Sequence, residues 1–330
     1  MRRLLVVLCL FGCTDLEPYR CGVGRACGSG VCVPQSGRCA EDSTSCESGL
    51  VYGDSAGELA GECAPALADP SLTDLEGTPL ARYFIDEAEG SETLIDVSGY
   101  DNHLTVNPEN TSLVADDQGH RGMQLLLGGQ VGGASRDFEP DTSVWATELH
   151  GSQVATYELV ADFGPGTGSV VRTALLLGPP TGFGSHHFIP GTGTRLSTSI
   201  DYAAIPFVYW PSPFDDVGRV VVHIVLDFTQ PEPEDKFQLY IDCTRVTGTP
   251  TQLGEGVPLD AFLRVADEGQ EHRLVLGNRN AFGDSEEHTP SSMQGTLYYA
   301  AIYAQAFDDL TRLNNCRSLD ESDDTPRVMP

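Results

Sequence analysis

The sequence predicts an all-β fold, an antiparallel β-sandwich preceded by a small disulfide-rich segment. Three observations support this prediction. Several short runs alternate apolar and polar residues with the period of two that is typical of strands. Glycine and proline clusters such as Gly164-Pro165-Gly166 separate those runs as turns. Six of the ten cysteines lie between Cys21 and Cys63, in a stretch too poor in large apolar side chains to form a core.

The chain begins with a pattern that is similar to a bacterial lipoprotein signal. Arg2 and Arg3 precede a short apolar run, which ends at Cys13. We expect residues 1–12 to be removed as a signal peptide, after which Cys13 becomes the N-terminus and carries lipid. The run is far shorter than the roughly 20 residues that span a bilayer, so it indicates export and not a permanent transmembrane helix.

Residues 13–63 form a cysteine-rich segment that we expect disulfides to hold together, because export places the chain in an oxidising compartment. The spacing lacks the paired Cys-x-x-Cys pattern of a zinc site, which disfavours that alternative. The pairing within the segment stays open. The cysteines predicted to form disulfides are Cys21, Cys27, Cys32, Cys39, Cys46 and Cys63, together with Cys243 and Cys316 further along the chain.

The charge of the chain restricts its partners. It has 48 acidic and 19 basic residues, which gives a net charge of −29. Nucleic acid is excluded as a partner, because phosphate binding requires clustered lysine and arginine. The acidity makes divalent cations plausible counter-ions, and calcium is the cofactor that we leave open.

Residues 64–80 are rich in alanine and proline and are interpreted as a linker to one large domain, residues 81–316. The clearest strand patterns cover residues 155–163, 219–228 and 236–242, and further strands are expected near 82–86, 122–127, 170–177, 272–277 and 295–303.

One helix is predicted near the end of the domain. Residues 307–315 place Phe307, Leu310 and Leu313 on one face. Cys243 ends a strand and Cys316 follows this helix, so a disulfide between them would pin the helix to the sandwich. The last residues, 317–330, are polar and are expected to be a disordered tail.

Asp96-Val97-Ser98-Gly99-Tyr100-Asp101-Asn102-His103, and the closing stretch from Gly277-Asn278 to Phe307, resemble the laminin G-like or concanavalin A-like family. The resemblance implies a jelly-roll sandwich over about residues 80–316. The family's turn motif matches Asp96, Ser98, Gly99, Asn102 and His103. Asp and Ser accept backbone hydrogen bonds and Gly permits positive φ, so we interpret the turn as structural and not as a ligand site.

Concanavalin A-like folds include glycoside hydrolases, whose retaining members carry catalytic carboxylates on a buried strand. The nearest match, Glu87-Ala88-Glu89-Gly90-Ser91-Glu92, has the composition of a solvated loop, which disfavours catalysis there. No catalytic residue is therefore predicted. Tyr209 and Trp210 offer aromatic faces of the kind that stack on sugars and are kept as binding candidates, although ordinary packing in the core is the favoured interpretation.

Together these observations favour a lipid-anchored cell-envelope protein that recognises a glycan or a surface protein through its sandwich. Thr14 follows Cys13 where aspartate would resemble an inner-membrane retention signal, so we expect the outer membrane, with the domain facing outward or in the periplasm. Two alternatives stay open. One is a glycoside hydrolase and the other is an architectural envelope protein without a ligand.

Overall fold

The computed structural model describes residues 31–33, 36, 38–43, 45–46, 48, 50–64, 75–115, 121–125, 132–140, 142–163, 173–178, 186–189, 193–197, 207–211, 218–247, 251–253, 271–278 and 292–321. The chain divides into two compact units, Met1–Pro65 and Ala66–Pro330. Among the described residues, no helix has the length and apolar composition of a membrane span.

The first unit contains a small antiparallel sheet. Its strands are β1 (Val31–Val33), β2 (Arg38–Asp42) and β3 (Leu50–Tyr52), followed by a 3-10 helix at Asp54–Leu59. A disulfide joins Cys46 to Cys63, and Cys39 is also disulfide-bonded. The side chain of Cys32, and Cys13, Cys21 and Cys27 entirely, lie outside the described residues.

The second unit consists mainly of strands. In chain order they are β4 (Ala81–Tyr83), β5 (Thr93–Leu94), β6 (Leu104–Val106), β7 (Thr111–Ala115), β8 (Arg121–Leu125), β9 (Ala134–Phe138), β10 (Val154–Phe163), β11 (Leu175–Gly178), β12 (His186–Ile189), β13 (Gly193–Ser197), β14 (Phe207–Pro211), β15 (Arg219–Asp227), β16 (Phe237–Ile241), β17 (Thr244–Arg245), β18 (Thr251–Leu253), β19 (His272–Leu276) and β20 (Gly295–Tyr303). The helices are α1 (Pro233–Lys236) and α2 (Asp309–Glu321), with a π-helical turn at Trp145–Leu149.

These strands form two antiparallel sheets. The eight-stranded sheet has the order β17-β16-β15-β10-β20-β8-β7, with β4 as its eighth strand. On the same side of β20, β8 pairs with residues 295–297 and β4 pairs with residues 300–302. The nine-stranded sheet has the order β18-β14-β13-β12-β11-β19-β9-β6-β5. One apolar core contains side chains of both sheets, including Leu159 and Ile224 from the first and Leu175 and Leu274 from the second. The predicted all-β antiparallel sandwich is confirmed.

A second apolar cluster covers the outer face of the eight-stranded sheet. Val160 of β10 and Tyr299 of β20 pack there with Cys316 and Leu319 of α2. β10 is therefore buried on both faces, whereas its sequence pattern indicated one buried and one solvated face. The helix that buries the second face of β10 is α2, which is distant from β10 in the sequence.

The helix differs from the prediction in its extent and in its buried face. It begins at Asp309 and continues to Glu321, so residues 317–321 of the predicted tail are helical, whereas residues 322–330 lie outside the described residues. The predicted apolar face is wrong, because Leu310 is 66% exposed. The buried side chains are Arg312, Asn315, Cys316 and Leu319, which share one helical face.

Candidate functional site

The turn that follows β5 is built around one buried carboxylate, that of Asp96. Its Oδ1 accepts hydrogen bonds from the backbone N–H groups of Arg82 and Ser98, both at 2.9 Å. Its Oδ2 accepts from Ser98 Oγ at 2.7 Å and from the Asn102 N–H at 2.9 Å. Burial raises the pKa of Asp96, and these four hydrogen bonds offset the increase only in part. All the acceptor positions of the carboxylate are thus used inside the protein.

The rest of the turn is equally fixed. Asn102 Nδ2 donates to the carbonyl of Leu80 at 2.8 Å, and Ser98 Oγ lies 3.2 Å from the same carbonyl oxygen. The Asp96 N–H donates to His103 Nδ1 at 2.9 Å. Gly99, with φ of 95°, and Asp101, with φ of 57°, supply the left-handed backbone that the tight turn requires.

This turn presents an exposed group of side chains, which we call the corner and define as Tyr100, Asp101, His103 and Arg136. Tyr100 is 40% exposed, and the Asp101 side chain is 87% exposed. Arg136 of β9 donates from Nη1 to the carbonyl of Asp101. His103 Nε2 lies 3.9 Å from Asp101 Oδ1. The corner therefore combines an aromatic face, a carboxylate, an imidazole and a guanidinium on a rigid support.

The two binding candidates suggested by the sequence, Tyr209 and Trp210, lie on β14. Trp210, on β14, is 1% exposed and belongs to the core between the sheets, so it cannot stack on a ligand. Trp210 is therefore wrong as a binding candidate, because the large apolar surface of its indole ring is buried in the core. The side chain of Tyr209 lies outside the described residues. Arg136 and the exposure of Tyr100 were missed, since only the folded turn shows which side chains it leaves outside.

A second buried carboxylate, Glu158 of β10, lies under α2. Its Oε1 accepts hydrogen bonds from His223 Nε2 at 3.0 Å and from Asn315 Nδ2 at 2.9 Å. Its Oε2 accepts from the hydroxyl groups of Tyr303 at 2.5 Å and Tyr299 at 3.2 Å. Burial alone would raise the pKa of Glu158, but the hydrogen bonds from His223, Tyr303 and Asn315 lower it below its ordinary value.

The Glu158 network is closed to ligands. Glu158 and His223 have no exposed surface, and Arg82 supplies a nearby positive charge by donating from Nη2 to the Tyr303 hydroxyl at 2.9 Å. Asn315 extends the network, because its Oδ1 accepts from the Glu76 N–H at 2.7 Å and its Nδ2 donates to the Glu76 carbonyl at 3.0 Å. We interpret the network as the structural support of α2.

A disulfide adds to this support. Cys243, in the turn between β16 and β17, is bonded to the buried Cys316 of α2. Arg312 of the same helix lies with its Cζ 3.7 Å from the Tyr240 ring centroid and donates from Nη1 to the Cys243 carbonyl. The helix is thereby tied to the sheet by a covalent bond, a cation–π contact and hydrogen bonds.

The acidic stretch at residues 87–92 forms a loop before β5. Glu87 Oε1 accepts the backbone N–H of Ile95 at 2.7 Å. Burial raises the pKa of Glu87. This carboxylate therefore stabilises the loop. In the described ranges, no group of three or more His, Cys, Asp and Glu side chains is arranged to hold a metal ion.

Comparison with known proteins gives similarity only at the level of structure. No family model matches the sequence, and no curated protein matches it. Trypanosoma rangeli sialidase in complex with sialic acid is similar over 78% of this chain and 35% of the sialidase, with 13% identity and a TM-score of 0.48. A receptor-binding domain is similar over 76% of this chain and 53% of that domain, with 9% identity and a TM-score of 0.49.

The binding domain of botulinum neurotoxin DC in complex with rat synaptotagmin II is similar over 73% of this chain and 52% of that domain, with 9% identity and a TM-score of 0.45. The chain thus spans about a third of the sialidase and about half of the two binding domains. With TM-scores below 0.5, these similarities carry no argument about function.

Proposed function

We propose that this chain is a lipid-anchored protein of the bacterial cell envelope whose laminin G-like sandwich binds a glycan or a surface protein. The observation that carries the proposal is the corner. A turn whose buried polar groups are hydrogen-bonded fixes the backbone that carries the accessible Tyr100, Asp101 and His103, and Arg136 of β9 donates to the Asp101 carbonyl of this turn. Binding to such a preorganised surface costs little ordering entropy. Exposed aromatic rings stack on sugars, and the charged groups can bind hydroxyl groups.

The disulfides support the proposed location. Cys46–Cys63 and Cys243–Cys316 are bonds of the kind that form and persist in exported proteins and are rare in the cytosol. The lipid on Cys13 and the outer membrane remain part of the proposal. Growth with a labelled fatty acid tests the lipid: the chain should become labelled and a Cys13→Ala variant should not. An unlabelled chain that retains residues 1–12 would contradict the anchor.

Binding is tested with the full chain, purified in detergent and applied to immobilised glycans and to envelope proteins. We expect retention of the chain on at least one glycan class or protein, and we expect Tyr100→Ala to reduce it by about tenfold or more. Leu310→Ala is the matched control, because Leu310 is exposed on α2 and away from the turn in sequence. Equal retention of both variants would rule out the corner as the binding surface.

The same experiment separates the alternatives. A parallel measurement with a calcium chelator tests the calcium that the acidic composition leaves open, since chelation abolishes retention only if the ion takes part. Release of sugar fragments from the glycans would support a glycoside hydrolase instead. Absence of retention on every glycan and protein would support the architectural alternative.

A further inference from the structure

We infer that the corner takes a sugar that carries one carboxylate, and that Arg136 binds that carboxylate. The inference rests on the proposed function and specifies its ligand class. It depends on three features of the described residues: the fixed orientation of the Arg136 guanidinium, the donors that this guanidinium leaves unused, and the charge of the rest of the chain.

The guanidinium of Arg136 is held from two directions. Nη1 donates to the Asp101 carbonyl, and Cζ lies 5.1 Å from the centroid of the Phe138 ring. Phe138 is itself buried between Trp145 and His272, with ring centroids 5.7 and 5.8 Å away. An exposed arginine normally loses considerable side-chain entropy when it binds a ligand, and these contacts reduce that loss in advance.

The guanidinium of Arg136 has hydrogen-bond donors that are available to a ligand. In the described part of the chain, its Nε and Nη2 donate no hydrogen bond and its guanidinium forms no ion pair, although the residue is exposed. Arg273, on the neighbouring strand β19 of the same sheet, is an example of a guanidinium that has a carboxylate partner. Its Nε and Nη2 bind the two carboxylate oxygens of Asp137 at 2.5 and 3.0 Å. A ligand carboxylate would give Arg136 the same bidentate partner.

The other groups of the corner suit a sugar ring. Tyr100, which is 40% exposed, can stack on it, and the Asp101 carboxylate and His103 Nε2 can bind its hydroxyl groups. The net charge of −29 opposes a polyanion, because repulsion grows with each charge that the ligand carries. A single carboxylate placed directly on Arg136 meets the least of this repulsion.

The test compares two probes on the full chain in detergent: a disaccharide that ends in glucuronic acid and its counterpart that ends in glucose. We expect the acidic probe to bind about tenfold or more tightly. Arg136→Gln should remove this preference, and Arg136→Lys should restore part of it, because lysine keeps the charge and loses the bidentate geometry. Arg317→Gln is the matched control, since Arg317 is an exposed arginine on α2.

The outcomes separate this inference from the proposed function. Equal affinity for the two probes, or an Arg136→Gln variant that folds and keeps the preference, would overturn the inference. If neutral glycans still bind and Tyr100→Ala weakens them, the proposed function survives that result. If neither probe nor any other glycan or protein binds, both fail. Unfolding midpoints of the variants, measured beside binding, show whether a lost preference reflects a lost fold.

Discussion

The sandwich contains two buried carboxylates that are satisfied in different ways. Asp96 accepts three backbone N–H groups and one hydroxyl, all within 14 residues along the chain. Glu158 accepts four side-chain donors, and the partner furthest along the chain, Asn315, lies 157 residues away. Asp96 therefore shapes one loop and supports the corner. Glu158, on β10, links β15 and β20 to α2, and it stabilises the tertiary arrangement.

The largest expected effect comes from removing the carboxylate with long-range partners. Glu158→Ala leaves His223, Asn315 and two tyrosine hydroxyls buried without their acceptor. We expect the free energy of unfolding to fall by about 3 to 5 kcal/mol, the range typical of a broken buried ionic contact. Urea unfolding followed by tryptophan fluorescence measures it. A loss below about 1 kcal/mol would mean that the network does not hold α2.

The disulfide should contribute almost as much to the same region. Cys243 and Cys316 are 73 residues apart, and closing a loop of that length contributes about 4 kcal/mol in the chain-entropy model. We expect this loss in Cys243→Ser/Cys316→Ser, measured by urea unfolding. In Cys243→Ser alone, the buried Cys316 thiol should react with thiol reagents only after unfolding. Rapid labelling in the native state would contradict the packing of α2.

Replacing each carboxylate with its isosteric amide should lower the free energy of unfolding more at Asp96 than at Glu158. Asp96→Asn turns an amide NH₂ toward backbone donors that cannot rotate, so we expect a loss of about 2 kcal/mol. Glu158→Gln can direct its NH₂ toward Tyr299 and Tyr303, whose hydroxyls also accept, so about 1 kcal/mol is expected. Denaturant midpoints of the two variants provide the comparison. A larger loss in Glu158→Gln would show that the tyrosine hydroxyls are not free to reorient.

Acidification should decrease the contribution of Glu158 to stability and increase the contribution of Asp96. Since the pKa of Glu158 is lowered from 4.5, its contribution is present above that value and is lost as pH falls through the folded pKa. Since the pKa of Asp96 is raised from 3.8, its contribution is present below that value and is lost as pH rises through the folded pKa.

The gap in unfolding free energy between the unsubstituted protein and Glu158→Gln should therefore narrow on acidification. The corresponding gap between the unsubstituted protein and Asp96→Asn should widen. Unfolding free energies at several values between about pH 3 and pH 6 measure both gaps, and other carboxylates cancel in each difference. Two gaps that change in the same direction would contradict the assignment of the pKa shifts to burial and hydrogen bonding.

The same contrast explains how far the sequence predicts the structure. The Asp96 turn and the long strands β15 and β20 were predictable, because their patterns are local and involve neighbouring residues. The burial of Glu158 was not predictable, since nothing near it in sequence indicates the helix that covers it. Trp210 stayed a binding candidate for a related reason: the aromatic run shows apolar character without showing which sheet face is covered, and the structure places the ring in the core.

The smallest expected effect tests the face of α2 that the sequence misassigned. The spacing of Leu310 and Leu313 predicts a buried apolar stripe, but the buried face carries Leu319 and polar residues whose partners lie on distant strands. Leu310→Ala should change the free energy of unfolding by no more than about 0.5 kcal/mol, because its side chain is exposed.

Leu319→Ala, on the buried side of the same helix, is the matched control, with an expected loss of about 2 kcal/mol or more from the cavity that it leaves. Urea unfolding of both variants decides between the two faces. The opposite ranking would mean that α2 packs on the face that its apolar spacing indicates. In that arrangement the side-chain amide of Asn315 would turn away from Glu158, and the network that supports the helix would be lost.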